Sequence, residues 1–212
     1  MNDAVEQYLT GLAGAEHDDP VLREMEARAE AHEFPIVGRA TGLFLELMAR
    51  AIGARRIMEL GSGYGYSAYW FARAAGPEGS VVCTDADPGN AALAEEYLGR
   101  AGVWDRVRYR VGDALAGFAA EPGEFDLVYC DVDKLGYPEC WLAARDRIRV
   151  GGLWLCDNVL WSGHVATATD RDGLPGWTAA IREHNDLVAG DSRYVGSIVP
   201  IRDGVMTALR VA

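Results

Sequence analysis

Glu59-Leu60-Gly61-Ser62-Gly63-Tyr64-Gly65-Tyr66-Ser67 follows the apolar run Arg56–Leu60 (RIMEL) and leads into Ser67–Ala75. The run reads as a buried strand and the segment after the glycines as a helix. Glycines at alternate positions let the backbone turn sharply and pass close to a ligand. Asp85 ends the next strand-like run, Ser80–Thr84 (SVVCT), about 20 residues beyond the loop, where an acidic side chain can hold the two hydroxyls of a ribose. A dinucleotide fingerprint, G-x-G-x-x-G, would need glycine where Tyr66 stands. Pyrophosphate binding also wants a bare helix N-terminus, and Tyr66 and Ser67 fill it. The loop is therefore G-x-G-x-G preceded by Glu59. A cofactor with a ribose but no pyrophosphate, a nicotinamide dinucleotide, and a turn with no ligand all remain open at this point.

Outward from the loop the same alternation continues. Residues 20–32 and 36–53 read as helices, the second ending at Gly53. Pro88–Gly99 reads as a helix capped by Asp87 with Pro88 at its first position. Val107–Val111, Phe125–Cys130 (FDLVYC) and, after a Gly151-Gly152 turn, Leu153–Cys156 (LWLC) read as strands; Tyr137–Ile148 and Trp177–Val188 read as helices. Arg106, Arg108 and Arg110 alternate with Val107, Tyr109 and Val111, which puts the arginines toward solvent. Alternating βα units imply a parallel sheet covered by helices on both faces, with ligands at the carboxyl ends of the strands. The end of the chain differs: Tyr194–Ile201 and Val205–Val211 flank Arg202-Asp203-Gly204, a hairpin signal. Gly163–Gly176 is long, polar and rich in turn formers, and reads as a functional loop.

The bulk numbers exclude several classes. The 212 residues fit one domain at roughly 100–200 residues per domain, with 1–35 as an N-terminal helical extension. A formal charge of -12 is wrong for coating a nucleic-acid backbone. The acidic N-terminus lacks a basic and an apolar signal region, and no apolar run approaches a bilayer span, so a cytoplasmic protein with no membrane partner is expected. Cys83, Cys130, Cys140 and Cys156 form no C-x-x-C pair and read as buried reduced thiols. His17, His32 and His184 read as structural or surface residues, and His164 as facing the pocket.

Asp131-Val132-Asp133-Lys134 ends the FDLVYC strand, and Asp157-Asn158 ends the LWLC strand. If those strands are neighbours, their ends lie about 5 Å apart. Two carboxylates and an amide oxygen then form a hard, all-oxygen set suited to Mg²⁺, Mn²⁺ or Ca²⁺. Lys134 is the single lysine among 20 Lys plus Arg. Arginine cannot give up its proton in a protein, whereas a lysine can. Burial and a neighbouring cation are expected to hold Lys134 partly deprotonated.

MELGSGYGYS (58–67), CTDADP (83–88), FDLVYCDVDKLGYPE (125–139), CDNVLWSG (156–163) and VPIRDGVM (199–206) together resemble the catechol / caffeoyl-CoA O-methyltransferase family, in particular its small bacterial members, over residues 34–212. The resemblance implies a Rossmann-like methyltransferase fold, a seven-stranded, mostly parallel sheet with an antiparallel last strand. It implies transfer of methyl from S-adenosylmethionine to a phenolic, catechol-like hydroxyl of a small molecule. By the same resemblance Asp131, Asp157 and Asn158 bind a divalent metal, and Lys134 is the general base beside the catalytic Asp131. Val37, Glu59, Gly61, Ser62, Ser67, Asp85, Asp113, Ala114, Asp131 and Asp133 contact the cofactor, and Trp161 and Tyr137 the substrate. Family members are often homodimers. The chain departs from the family at Gly136, often Asn, and Cys140, often Tyr, and it lacks the Arg/Tyr-rich loop of the plant enzymes. Those changes bear on the acceptor, CoA thioesters especially. Three other readings compete. A tRNA wobble hydroxyuridine methyltransferase fits the scaffold but not the charge. A NAD-dependent dehydrogenase fits only the glycine loop. A non-catalytic binding protein leaves Lys134 and the ligand-type residues without a role.

Overall fold

The computed structural model describes residues 19–212 and, before them, Tyr8, Gly11 and Leu12. Part of the expected N-terminal extension, His17 included, lies outside the described residues. The elements in chain order are α1 (Pro20–Ala31), α2 (Gly38–Ala51), β1 (Arg56–Leu60), α3 (Tyr66–Ala75), β2 (Ser80–Asp85), α4 (Pro88–Arg100), β3 (Val107–Val111), α5 (Ala114–Ala119), β4 (Phe125–Cys130), α6 (Tyr137–Ala144), β5 (Ile148–Cys156), α7 (His164–Thr167), α8 (Trp177–Gly190), β6 (Tyr194–Val199) and β7 (Val205–Arg210). They build one 7-stranded sheet in the order β3-β2-β1-β4-β5-β7-β6. Strands β1 to β5 pair in parallel, and β7 runs antiparallel to both neighbours. The mixed sheet with its antiparallel last strand is as the sequence implies. Reversal of strand order between β1 and β4 opens a crevice at their carboxyl ends.

Two cores, one on each face, follow from the two-residue period of the strands. Ile57, Tyr129 and Leu155 face Leu22, Leu45, Trp70 and Phe71 from α1 to α3. Met58, Val128 and Trp154 face Phe118, Trp141 and Ile181 from α5, α6 and α8. Helices α2 and α3 meet closely because Gly42 has no side chain: a Cβ there would lie 2.1 Å from Trp70 Nε1. All four cysteines are buried and free, as expected. No described helix is long and apolar enough to cross a membrane.

Some boundaries differ from the sequence reading. The helix expected to reach residue 148 stops at Ala144, and β5 begins at Ile148 with a register irregularity opposite Phe125 and Leu127. Positive φ at Gly151 lets the strand pass through a kink that reads as a turn in sequence. Helix α5 was not anticipated; Asp113 caps it by accepting from Ala116 N at 2.8 Å. The loop 163–176 carries the short α7. On β3 the alternation fails at its ends. Val111 is exposed, and Arg106 donates to the Ala72 carbonyl at 3.2 Å. Arg108 and Arg110 turn outward but pair with the buried Glu121.

Candidate active site

The glycine loop is held from below by backbone bonds. Gly61 N and Ser62 N donate to the Thr84 carbonyl at 3.1 and 2.9 Å. Gly61 has φ +81, and a Cβ on it would meet the Asp131 carbonyl oxygen at 2.5 Å, so only glycine lets β1 and β4 end this close together. Asp85 anchors the loop from the side, accepting from Gly63 N at 3.0 Å.

Glu59 lies under the loop, fully buried. Its carboxylate accepts from Ser62 Oγ at 2.7 Å, from Ser67 Oγ, and from Cys83 Sγ at 3.3 Å. Burial raises its pKa to about 7 against the opposing pull of those donors. Glu59 therefore braces the two serines and does not line the cavity above them.

A roof over the loop comes from elements that the motif reading missed. Tyr64 Oη donates to the Met25 carbonyl at 2.9 Å, and Tyr66 Oη to Glu26 at 2.7 Å. The Phe34 ring packs 4.8 Å from that of Tyr64. From the opposite side, Arg202 Nη1 reaches the Ile36 carbonyl at 2.5 Å. Residues 34–37 are thereby tied to the glycine loop and to the turn between β6 and β7. The aromatic residues at alternate loop positions were the available signal.

The parallel register pairs Cys130 with Cys156, which sets Asp131 and Asp157 side by side one residue later. Asp157 is buried and its N donates to the Cys130 carbonyl at 3.2 Å. Burial, and then the charge of Asp131, pushes the Asp157 carboxyl up. Asn158 follows with φ 56, a left-handed conformation that asparagine tolerates better than most residues. Lys134, nearly buried, donates to Asp131 Oδ1 at 2.9 Å, and its Nζ stands 4.9 Å over the Tyr137 ring. Burial pulls the Lys134 pKa down, but the charge and hydrogen bond of Asp131 carry it above the ordinary lysine value. Tyr137 is fully buried and its Oη donates to the Asp157 carbonyl at 2.8 Å. It supports the site from beneath.

These parts line one cavity of about 770 Å³. Its walls include Val37, Gly61, Ser62, Ser67, Asp85, Asp113 and Ala114 on one side, and Asp131, Asp133, Lys134, Asp157, Asn158 and Trp161 on the other. Every predicted site residue except Glu59 and Tyr137 is thus brought to one place. His164 is not on the wall; its Nδ1 is 3.3 Å from Thr169 Oγ1 in its own loop. A second groove of about 730 Å³ runs along α8 past Arg145, Arg182 and Asp186 and contains none of the predicted residues.

The donor set fits a hard divalent cation. Two adjacent carboxylates, one of them buried, need positive charge opposite them, and Asn158 brings a neutral amide oxygen to the same strand end. Among the described residues no three His, Cys, Asp or Glu side chains cluster as a metal site.

The O-methyltransferase family model matches residues 14–211. The chain belongs to the O-methyltransferase family. A catechol O-methyltransferase from Mycobacterium tuberculosis is 40% identical over 156 residues, 72% of this chain and 71% of that protein. A catechol O-methyltransferase from Niastella koreensis is 37% identical over 168 residues, 77% of this chain and 76% of its own length. Among solved structures, the O-methyltransferase from Bacillus cereus in complex with SAH is 29% identical, with a TM-score of 0.86 over 98% of this chain and 97% of that one. This O-methyltransferase is S-adenosylmethionine-dependent.

Proposed function

We propose that this O-methyltransferase methylates a phenolic hydroxyl of a small catechol-like acceptor, with a divalent cation on Asp131, Asp157 and Asn158 and with Lys134 as general base. The observation that carries the reading is Lys134 Nζ, 2.9 Å from Asp131 at the end of the paired strands and facing the cavity of the glycine loop. The similarity to the two catechol O-methyltransferases supports the same acceptor class. No feature of the site favours tRNA or a nicotinamide.

When bound, the cation lowers the pKa of the hydroxyl and fixes the acceptor through its open positions. The chain's residues do the remainder. The acceptor oxygen forms its bond to the methyl carbon as the carbon–sulfur bond breaks, so the sulfonium leaves as a neutral thioether. The phenolic proton would pass to Lys134 Nζ, whose neutral form the positive charge of a bound cation would favour against the pull of Asp131. Trp161, only 6% exposed, walls the acceptor side. Because two neighbouring oxygens would share the cation, a catechol should be methylated far faster than the matching monophenol. Product analysis by mass spectrometry checks this, and equal rates for both acceptors would contradict it.

In this reading Asp85 holds the ribose. Asp85→Ala removes two charged hydrogen bonds, each worth roughly 1.5–3 kcal/mol, and affinity for S-adenosylhomocysteine should fall about 100-fold or more. The anchor on Gly63 is lost as well. Titration calorimetry measures the change, with circular dichroism to verify folding. Unchanged affinity removes Asp85 from the site.

A further inference from the structure

The acceptor side of the cavity has a cationic group that the methyl-transfer chemistry does not use. Trp161 and Trp177 both line the cavity, their rings 5.5 Å apart and inclined by 31°. Arg171, on the same wall, places its guanidinium carbon 5.5 Å from the centre of the Trp161 ring.

Its position is built by the local chain. Asp172-Gly173 forms the middle of a tight turn, with Gly173 at φ +77 and Leu174 N donating to the Arg171 carbonyl at 3.0 Å. The preceding Asp170 accepts from Gly176 N at 2.9 Å and from Thr178 N at 3.3 Å, which ties the turn to the start of α8.

Other arginines in this acidic chain have found carboxylates: Arg110 pairs with Glu121, Arg149 with Asp126 and Arg193 with Asp191. Arg171 has no carboxylate at ion-pair distance and no side-chain hydrogen bond among the described residues. Asp203, the acid on the same wall, accepts from Ser162 N and feels the Arg171 charge without forming an ion pair with it. A guanidinium over a ring face is held by the ring's quadrupole, so its N–H donors stay available to a planar anion. In a chain of charge -12, an anionic acceptor needs such a local cation to enter at all.

We propose that Arg171 determines acceptor specificity by taking the carboxylate of an acidic catechol whose ring lies against Trp161. The proposal rests on the phenolic reading above and names the acceptor class within it: a catechol carrying a ring carboxylate. Arginine suits the task because its fork matches both carboxylate oxygens.

The test compares 3,4-dihydroxybenzoate with its neutral counterpart 3,4-dihydroxybenzamide, using the full chain with S-adenosylmethionine and Mg²⁺. In the wild type, kcat/KM should favour the benzoate by about 10-fold or more. Arg171→Gln should bring the ratio near one, with the loss carried by KM for the benzoate. Arg171→Lys should restore part of the preference, a recovery that a purely structural role on Trp161 would not produce. A ratio unchanged in Arg171→Gln overturns the assignment of Arg171 while leaving phenolic methylation intact. Turnover of neither acceptor by the wild type overturns the phenolic reading, and the role of Arg171 with it.

Discussion

Lys134→Arg is expected to lower kcat for a catechol by about 100- to 10,000-fold, the usual cost of losing a general base. The substitution keeps a positive charge opposite Asp131 and most of the apolar stem, so electrostatics and packing change little. What it removes is a group able to accept a proton, because a guanidinium does not deprotonate in a protein. The place of the side chain makes the comparison clean. Lys134 is nearly buried, bonded to Asp131 at 2.9 Å and seated over the Tyr137 ring, so the replacement has few other positions to take. S-adenosylhomocysteine affinity, measured by calorimetry, should survive, since Lys134 bonds Asp131 and makes no bond to Asp85 or to the glycine loop. Lys134→Gln serves as a second variant should the larger guanidinium disturb folding. Near-normal turnover by Lys134→Arg at neutral pH would remove the base role and reduce this lysine to a counter-charge.

What was legible in the sequence was local or periodic. The glycine loop, the acids just past strand ends and the Arg202-Asp203-Gly204 turn each sit at a boundary whose residues announce it. The step from Asp131 and Asp157 to a shared site needed only that β4 and β5 be neighbours, which the pairing of Cys130 with Cys156 bears out. Less legible were features made by distant contacts. Nothing local says that Arg202 will reach the carbonyl of Ile36, or that Tyr64 and Tyr66 will clasp α1. The same limit explains Glu59 and Tyr137. A motif marks both as site residues, but only their burial shows that one braces serines and the other supports Asp157. Boundaries failed where a glycine has two readings: Gly151-Gly152 is a turn by composition but lies within β5.

The second large effect concerns the cation, and it is the most direct test of the whole reading. Asp131, Asp157 and Asn158 are two carboxylates and one amide oxygen at adjoining strand ends, a set that in the proposed reading would hold a hard ion. Without the ion, a catechol would lose both its orientation and its charge stabilisation, while the cofactor side of the cavity would be untouched. The decisive measurement is catechol methylation by protein stripped with a chelator, its metal content checked by mass spectrometry, before and after Mg²⁺ is returned. The account predicts turnover at background in the stripped protein, recovery with Mg²⁺, and S-adenosylhomocysteine affinity unchanged throughout. Full turnover by protein verified to be metal-free would contradict it.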